Sequence, residues 1–406
     1  MIGIVAPIET ICASQRHLHK LLNDMLGSTQ SAASSHRAFA QFLRWEYPLI
    51  IGLGSAAVFF WNESWIIENA ARPTVLSATF VWLFGTVLWS AISVVRHADH
   101  LAIKCGEPYG TLILTLSAIT IEVVMISAAM LHGANNPTLA RDMMFAVIMI
   151  ALNGLVGLSL LLGGLRHREQ HYNLQGTTAY LNTIMTLAVL GLVLPNFTTS
   201  MSGPNLSTVQ EAFLVITSLG LYAIFLLIQT KRHSAYFREA DIGIAPADNH
   251  HHAASTHSTG FHVLMLFLYL IAVVMLAEKF AIPLDNAVER FGMPQAFAGA
   301  IVAALVLAPE ALGGIYAAMR NQMQRSVNIL QGSVLASIGL TIPAVLTIGM
   351  LTHRPVSLGM EGGNLPLLLL TLAVSIVTFT SGKTSVLHGC IHLLLFAVFL
   401  LLIFSP

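Results

Sequence analysis

The chain has 406 residues, of which 55% are hydrophobic and only 9% are charged, and its formal net charge is zero. Soluble globular proteins carry about 25% charged residues, so this composition excludes a soluble fold and indicates an all-α polytopic membrane protein. The balanced charge offers no basic surface for nucleic acid. The three cysteines, Cys12, Cys105 and Cys390, follow no metal-binding or disulfide spacing.

Residues 1–46 are predicted to form a cytosolic segment, since the first twelve residues lack the basic start of a secretory signal. Within this segment Leu18, Leu21, Leu22 and Met25 share a helical spacing. The spacing suits an amphipathic helix on the membrane surface, and a solvated tail is the alternative.

Eleven apolar stretches follow, most of them near the roughly 20 residues that cross a bilayer as a helix. They lie at residues 47–66, 75–95, 110–131, 142–164, 180–196, 209–229, 262–281, 297–318, 327–350, 364–380 and 385–404. Lys and Arg residues concentrate on the cytosolic side of membrane proteins. With the N-terminus inside, 14 of the 19 basic residues are cytosolic and five are outside. The sequence therefore predicts an inner-membrane protein with a cytoplasmic N-terminus and a periplasmic C-terminus.

The first stretch stands apart, and the other ten divide into five on each side of one long polar loop. Because five is an odd number, the two halves have opposite orientations, as in many secondary transporters with a midplane ion site. The prediction is an extra transmembrane helix and loop over 47–74, a five-helix repeat over 75–229, a linker over 230–261 and a second, inverted five-helix repeat over 262–406.

The 230–261 linker contains His250, His251, His252 and His257. A cytosolic metal or pH sensor is one interpretation of this composition. A solvated connection between the repeats is the plainer interpretation, and it is the one we favour.

Two carboxyl groups lie deep in apolar stretches. Glu122 and Glu310 each occupy the second span of one half, 188 residues apart. A charge at this depth costs several kcal/mol and usually marks an ion or proton path. The spans contain no Lys or Arg away from their ends. Each glutamate is therefore expected to be protonated, because burial disfavours the charged form, or to bind a cation. A site with these two states exchanges protons for cations; a pair of protonated structural acids is the alternative.

Supporting oxygen ligands are predicted around this pair. Pro309 has no N–H to bond the backbone carbonyl of Leu305, so irregular backbone is expected there and the carbonyl is a candidate ligand. The third spans of the two halves add Asn153 in one, and Ser333 and Ser337 in the other.

Two signatures resemble a known family. The first is CGEPYGTLILTLSAITIEVVMISAAML at 105–131, and the second, across 299–343, includes APEALGG, RNQMQRSVN and LQGSVLASIGLTIP. Both are similar to the bacterial ChaA-type calcium/proton (sodium-potassium/proton) antiporters of the cation/calcium exchanger superfamily. The resemblance implies a sodium/calcium-exchanger-like fold of about eleven helices, an inverted five-plus-five repeat and proton-driven cation export. Glu122 and Glu310 match the two acids of the family's repeats.

The chain departs from the wider proton/calcium exchanger pattern, in which Gly-Asn precedes each acid by a few residues. Ala118 and Ile119 stand at these positions in the first half, and Val306 and Leu307 in the second. Fewer side-chain oxygens thus flank the acids than the six to eight ligands that Ca²⁺ takes. The sequence leaves Ca²⁺, Na⁺ and K⁺ open as the transported ion.

These features predict an antiporter that takes in protons and exports a cation by alternating access. Its partners are inorganic cations, protons and the lipid bilayer, and no cofactor or catalytic residue is expected. A cation channel without obligatory proton coupling is the alternative. An intramembrane enzyme is disfavoured, since His-Glu-x-x-His and Gly-x-Ser-x-Gly are both absent from the sequence.

Overall fold

The computed structural model describes residues 46–69, 72–105, 109–132, 137–238 and 258–405. The predicted amphipathic helix around Leu18–Met25 and the histidines of the linker lie outside the described residues. The chain divides into two units, Met1–Ile51 and Gly52–Pro406. Of the first unit, residues 46–51 are described, and they are helical.

The described part of the chain is built almost entirely from twelve helices. They are α1 (Glu46–Trp61), α2 (Glu63–Asn69), α3 (Pro73–Cys105), α4 (Tyr109–His132), α5 (Leu139–His167), α6 (Leu174–Phe197), α7 (Thr208–Arg232), α8 (Thr259–Arg290), α9 (Gln295–Met319), α10 (Met323–Thr352), α11 (Asn364–Thr378) and α12 (Val386–Phe404). A short 3₁₀ segment, Ser234–Phe237, follows α7.

Among the described residues, eight helices are long and apolar enough to cross a membrane: α3, α5, α6, α7, α8, α9, α10 and α12. Three shorter apolar helical stretches accompany them at Glu46–Trp61, Leu116–Ser127 and Asn364–Thr378. The chain is therefore a multi-pass, all-helical membrane protein, as its composition predicts. The first predicted stretch, 47–66, covers α1 and the start of α2, and each of the other ten falls on one helix, while the total number of spans stays a prediction.

Several helices are longer than their apolar stretches, because polar residues form their ends. The stretch at 180–196 suggests a short span, but α6 has 24 residues. Its start is fixed by Asn173, whose side chain accepts hydrogen bonds from the backbone N–H groups of Gln175 and Gly176. Such an N-cap satisfies donors that the first helical turn leaves open. Likewise α3 continues ten residues beyond the stretch at 75–95, to Cys105.

Wider π-helical turns occur in the middle of α5 and α10, the third helices of the two predicted halves. They comprise Met149–Leu155 and Ser337–Thr341. Their first residues are 188 positions apart, the same separation as Glu122 and Glu310. By contrast, α9 remains α-helical through Pro309. The irregular backbone expected at Pro309 is therefore wrong; π-helical turns lie instead in α5 and α10, and also in α6 at Val189–Val193 and in α7 at Ile228–Arg232.

Helices α5 and α10 form the centre of the Gly52–Pro406 unit. In the most apolar 18-residue segment of each helix, 72% of the residues are buried in α5 and 67% in α10, compared with 22% in α7 and 28% in α12. Helix α9 packs along α5, and α4 contacts the π-helical turns of α10. The acid-bearing helix of each half thus lies against the third helix of the other half. The first helices of the halves, α3 and α8, pack along each other.

The loops of this unit meet at two ends. At one end the side-chain amide of Gln170 donates to the carbonyl of Ala318 at 2.8 Å, and its backbone N–H donates to Thr384 Oγ1 at 2.9 Å. Asn328 Nδ2 donates to the carbonyl of Phe237 at 2.6 Å at the same end. All these loops are predicted to be cytosolic, so their contacts agree with the alternation of the spans.

The loops predicted to be periplasmic contact one another at the other end. Arg141 Nη1 donates to the carbonyl of Gly359 at 3.1 Å, and the backbone N–H of Ser357 donates to the carbonyl of Pro137 at 2.9 Å. Which of the two ends faces the cytoplasm stays a prediction.

Candidate functional site

Glu122 is held in the interior by the opposite half of the molecule. Its residue is 2% exposed, and Ser337 Oγ donates a 2.6 Å hydrogen bond to its Oε2 atom. Ser337 is the first residue of the π-helical turns in α10. Thr341 ends the same turns, and its hydroxyl approaches the carboxyl group. Neither Glu122 Oε1 nor Thr341 Oγ1 has a hydrogen-bond partner among the described residues.

Glu310 lies in α9 and also keeps an oxygen without a donor. Its Oε2 atom is buried and makes no hydrogen bond within the described chain. The charged groups that act on it are acidic, since Glu122 and Asp99 both repel it. The structure therefore brings the two predicted acids within electrostatic range of each other. Within the described ranges, no Lys or Arg forms an ion pair with either carboxyl group.

A cavity of about 380 Å³ leads to Glu310. Its wall on α10 is one face of the helix, formed by Arg325, Asn328, Ile329, Gly332, Ser333, Leu335 and Ala336. Ala336 lies eleven residues after Arg325, which corresponds to about 16 Å along the helix axis. Because Ala336 precedes Ser337, the cavity extends from the loop end of α10 to the neighbourhood of the Glu122–Ser337 hydrogen bond.

The second long wall of the cavity is α7 and the 3₁₀ segment after it. The residues that form this second wall are Tyr222, Phe225, Leu226, Gln229, Thr230, Ser234, Phe237 and Arg238. The sequence then continues into the linker. The cavity therefore opens at the end of the molecule that is predicted to be cytosolic.

The predicted supporting ligands have different outcomes. Ser337 contacts Glu122, and Ser333 lines the same cavity as Glu310. Leu305 is buried in α9, and its carbonyl lacks a donor at Pro309 for the covalent reason already given; its role as a ligand stays a prediction.

Asn153 takes part in a separate buried network. Its amide nitrogen donates to Thr371 Oγ1 at 2.8 Å, and its amide oxygen lies 3.1 Å from His392 Nδ1. His392 Nε2 lies 3.1 Å from Thr378 Oγ1. Because an amide oxygen only accepts, His392 carries its proton on Nδ1 and Nε2 accepts from the threonine. Both ends of the Asn153 amide are thus engaged with α11 and α12 rather than with either glutamate.

Sequence reasoning missed Asp99 and His392, and it noted Thr341 among the polar residues of its span without selecting it as a ligand. Asp99 lies beyond the apolar stretch 75–95, and only the continuation of α3 brings it towards Glu310. Thr341 and His392 are polar residues within strongly apolar spans. That pattern is also typical of residues that bond their own helix backbone, so it did not distinguish them.

Comparison with known families agrees with this geometry. The chain matches the profile of the sodium/calcium exchanger protein family over residues 75–231 and 261–405. This chain belongs to the sodium/calcium exchanger family. The two matched segments coincide, within two residues at every boundary, with the predicted halves 75–229 and 262–406. This agreement supports the predicted division, which stays a prediction.

Two curated relatives and one solved structure illustrate the similarity. The chain is 40% identical over 354 residues to "Sodium-potassium/proton antiporter ChaA" of Escherichia coli, which covers 87% of this chain and 94% of that protein. It is 25% identical to the "Ca(2+)/H(+) antiporter" of Aphanothece halophytica, covering 78% of this chain and 94% of that one. The structure of native YfkE matches with a TM-score of 0.65 at 19% identity, covering 86% of this chain and all of that chain (100%). The last similarity concerns the fold alone.

Proposed function

We propose that this chain is a secondary active antiporter that exports a cation in exchange for protons, with both ligands binding at Glu122 and Glu310. One observation carries the proposal. Glu122 is buried and Glu310 is half-buried, the two groups repel each other when both are ionised, and each keeps a buried oxygen without a partner among the described residues. Two carboxylates in such a place are stable when they hold protons or a cation.

Exchange follows because protons and a cation cannot bind the two glutamates at the same time. A protonated carboxyl group is neutral and offers a cation no compensating charge, whereas an ionised pair attracts one. The hydroxyl of Ser337 stabilises the ionised form of Glu122 by donating to it. Alternating access then exposes the same pair to either side in turn, by movement of one half against the other.

We propose Na⁺ or K⁺ as the principal exported ion, with Ca²⁺ as the second candidate. The relative at 40% identity is named as a sodium-potassium/proton antiporter, and the one at 25% as a Ca²⁺/H⁺ antiporter. The oxygens near the acids also fit this order. If each carboxylate binds through one oxygen, the two carboxyl groups, the hydroxyls of Ser337 and Thr341 and the carbonyl of Leu305 supply about five ligands, fewer than the roughly six to eight of Ca²⁺.

We place the protein in the inner membrane, with its N-terminus in the cytoplasm and its C-terminus in the periplasm. The distribution of basic residues supports this orientation. Exposed basic residues near the cavity end are Arg166, Arg168, Lys231, Arg232, Arg238, Arg320, Arg325 and Lys383. The relatives are named as antiporters, so the proposal is a transporter rather than an enzyme, and it requires no cofactor.

The test is cation flux in proteoliposomes under an imposed pH gradient, with Na⁺, K⁺ and Ca²⁺ supplied in turn. The wild-type protein should move cation against the proton flux, and Glu122→Gln and Glu310→Gln should each abolish exchange. Glutamine has the shape of a protonated acid but cannot neutralise a cation. Glu211→Gln is the matched control, because Glu211 lies in the first turn of α7 and outside the cavity lining.

The same experiment distinguishes a channel. A channel would conduct cations down their own gradient without moving protons, and its flux would not respond to the sign of the pH gradient. Exchange by Glu122→Gln or Glu310→Gln at the wild-type rate would remove that residue from the proposed site.

A further inference from the structure

The charges along the cavity are unevenly arranged. Among its described lining residues, Glu310 is the only acid, and Arg238 and Arg325 are the only bases. Arg238 follows the 3₁₀ segment after α7, and Arg325 lies near the start of α10. Both are exposed at the end where the cavity opens. A cation that approaches Glu310 from this side passes two positive charges before it reaches the negative one.

These arginines are not neutralised by the described part of the protein. Neither makes an ion pair with another described residue. Neither forms an ion pair with Glu122 or Glu310 within the described residues. They therefore do not serve as counter-charges for the acids. Other basic residues of this end, such as Arg320, lie outside the cavity lining.

The physical effect of such a pair depends on the valence of the ion. Low-dielectric walls focus the field of charges that line a cleft, and this field changes the local concentration of ions. The free energy that a cation needs to pass is proportional to its own charge at every point of the path. A potential that lowers the local concentration of a monovalent cation by a factor f thus lowers that of a divalent cation by about f squared.

We propose that Arg238 and Arg325 favour monovalent over divalent cations by raising the electrostatic potential along the path to Glu310. The inference rests on the proposed function and makes it more specific, because it assigns ion selectivity to residues that do not coordinate the ion. The inference also agrees with the small number of oxygen ligands at the two glutamates. Few oxygen ligands and a positively charged path both disfavour Ca²⁺ relative to a monovalent ion.

The test compares Arg238→Gln, Arg325→Gln and the double variant with the wild-type protein. Initial rates of Na⁺ and Ca²⁺ transport are measured at subsaturating cation, from the cavity side, at alkaline pH and low ionic strength. Removing the charges should raise kcat/KM for both ions, and a threefold gain for Na⁺ should accompany a gain of about ninefold for Ca²⁺. The gains should shrink at high salt, where the Debye length falls to about 3 Å at 1 M.

Three controls make the result specific. Arg238→Lys and Arg325→Lys keep the charge and should keep the wild-type selectivity. Arg320→Gln removes a charge at the same end; Arg320 stacks on Tyr316, 4.1 Å from its ring centroid, outside the lining. It should leave the ratio of Ca²⁺ to Na⁺ rates unchanged. Thermal unfolding in detergent shows that each variant is folded.

The outcomes separate this inference from the proposed function. Equal gains for both ions, or no change in either, would overturn the role of the arginines while exchange itself stands. Cation transport by the wild-type protein without coupled movement of protons would instead contradict the antiport proposal. Selectivity that changes in the Lys variants as much as in the Gln variants would point to shape rather than charge, and would also reject the inference.

Discussion

Ser337 and Glu122 are joined by a 2.6 Å hydrogen bond although they lie 215 residues apart in the chain. The bond links the π-helical turns of one half to the acid of the other, and it stabilises the carboxylate in its ionised form. A hydrogen bond to a charged group contributes about 1.5–3 kcal/mol. We therefore expect Ser337→Ala to weaken apparent cation affinity by about 10- to 100-fold.

The same substitution should shift the pH dependence of exchange. Without the donor the ionised carboxylate is less stable, so protons compete better and half-maximal exchange should require a higher pH. Cation affinity and the pH profile are measured in everted vesicles. Ser337→Thr keeps a hydroxyl and is the matched control. An unchanged pH profile in Ser337→Ala would show that this bond does not act on the transport site.

Competition at the two glutamates also predicts a difference between ions. Affinity for any cation should fall as the pH falls, because protonation removes the negative charge that balances the cation. Neutral occupancy by Ca²⁺ needs both carboxylates ionised, whereas Na⁺ or K⁺ needs one. The logarithm of apparent affinity should therefore rise with pH with a limiting slope of about two for Ca²⁺ and about one for Na⁺.

Apparent affinities for each ion between about pH 6 and pH 9.5 test this competition, with the acids treated as one coupled pair. Apparent affinities that do not change with pH for any ion would contradict competition between protons and cations at the two glutamates. Equal slopes for Ca²⁺ and Na⁺ would leave competition in place but would contradict the shared use of both carboxylates.

The buried network of Asn153 and His392 is expected to stabilise the fold rather than to bind the ion. His392→Ala removes a partner from Asn153 Oδ1 and from Thr378 Oγ1. Each polar group left unpaired in the interior costs about 1–3 kcal/mol. We expect Asn153→Ala and His392→Ala to lower the unfolding temperature in detergent, and to change apparent cation affinity by less than about twofold.

This expectation opposes the ligand role that the sequence suggests for Asn153. A large loss of cation affinity in Asn153→Ala, with an unchanged unfolding temperature, would restore that role. Asn153→Asp is an informative companion, since an ion ligand would tolerate the added carboxylate better than a buried hydrogen-bond network would.

The orientation is tested by cysteine accessibility in a background in which Cys12, Cys105 and Cys390 are replaced by serine. Ser202→Cys, in the exposed loop between α6 and α7, should react with a membrane-impermeant maleimide added from the periplasm. Ala235→Cys, exposed beside the cavity end, should react only after the membrane is opened. The reverse pattern would invert the topology and with it the direction of the cavity.

The sequence by itself determined the class of protein and pointed to the pair of acids that we propose as the ion site. Composition indicated a membrane protein, because charged groups are costly in hydrocarbon wherever they lie. The same cost made Glu122 and Glu310 conspicuous in apolar spans. Their order in two sets of five spans indicated two related halves. These inferences require only the type of each residue and its position within an apolar stretch, and both can be read from the sequence.

Tertiary structure decided which groups meet. Apolar helices such as α4 and α9 are apolar on every side, so their patterns do not indicate which face turns inward. Ser337 and Asn153 look alike in sequence, as uncharged polar residues within apolar third spans. Packing brings Ser337 to Glu122 and Asn153 to His392. The rotation of each helix, and the alignment of Arg325 and Arg238 along one cavity, depend on contacts between segments far apart in the chain.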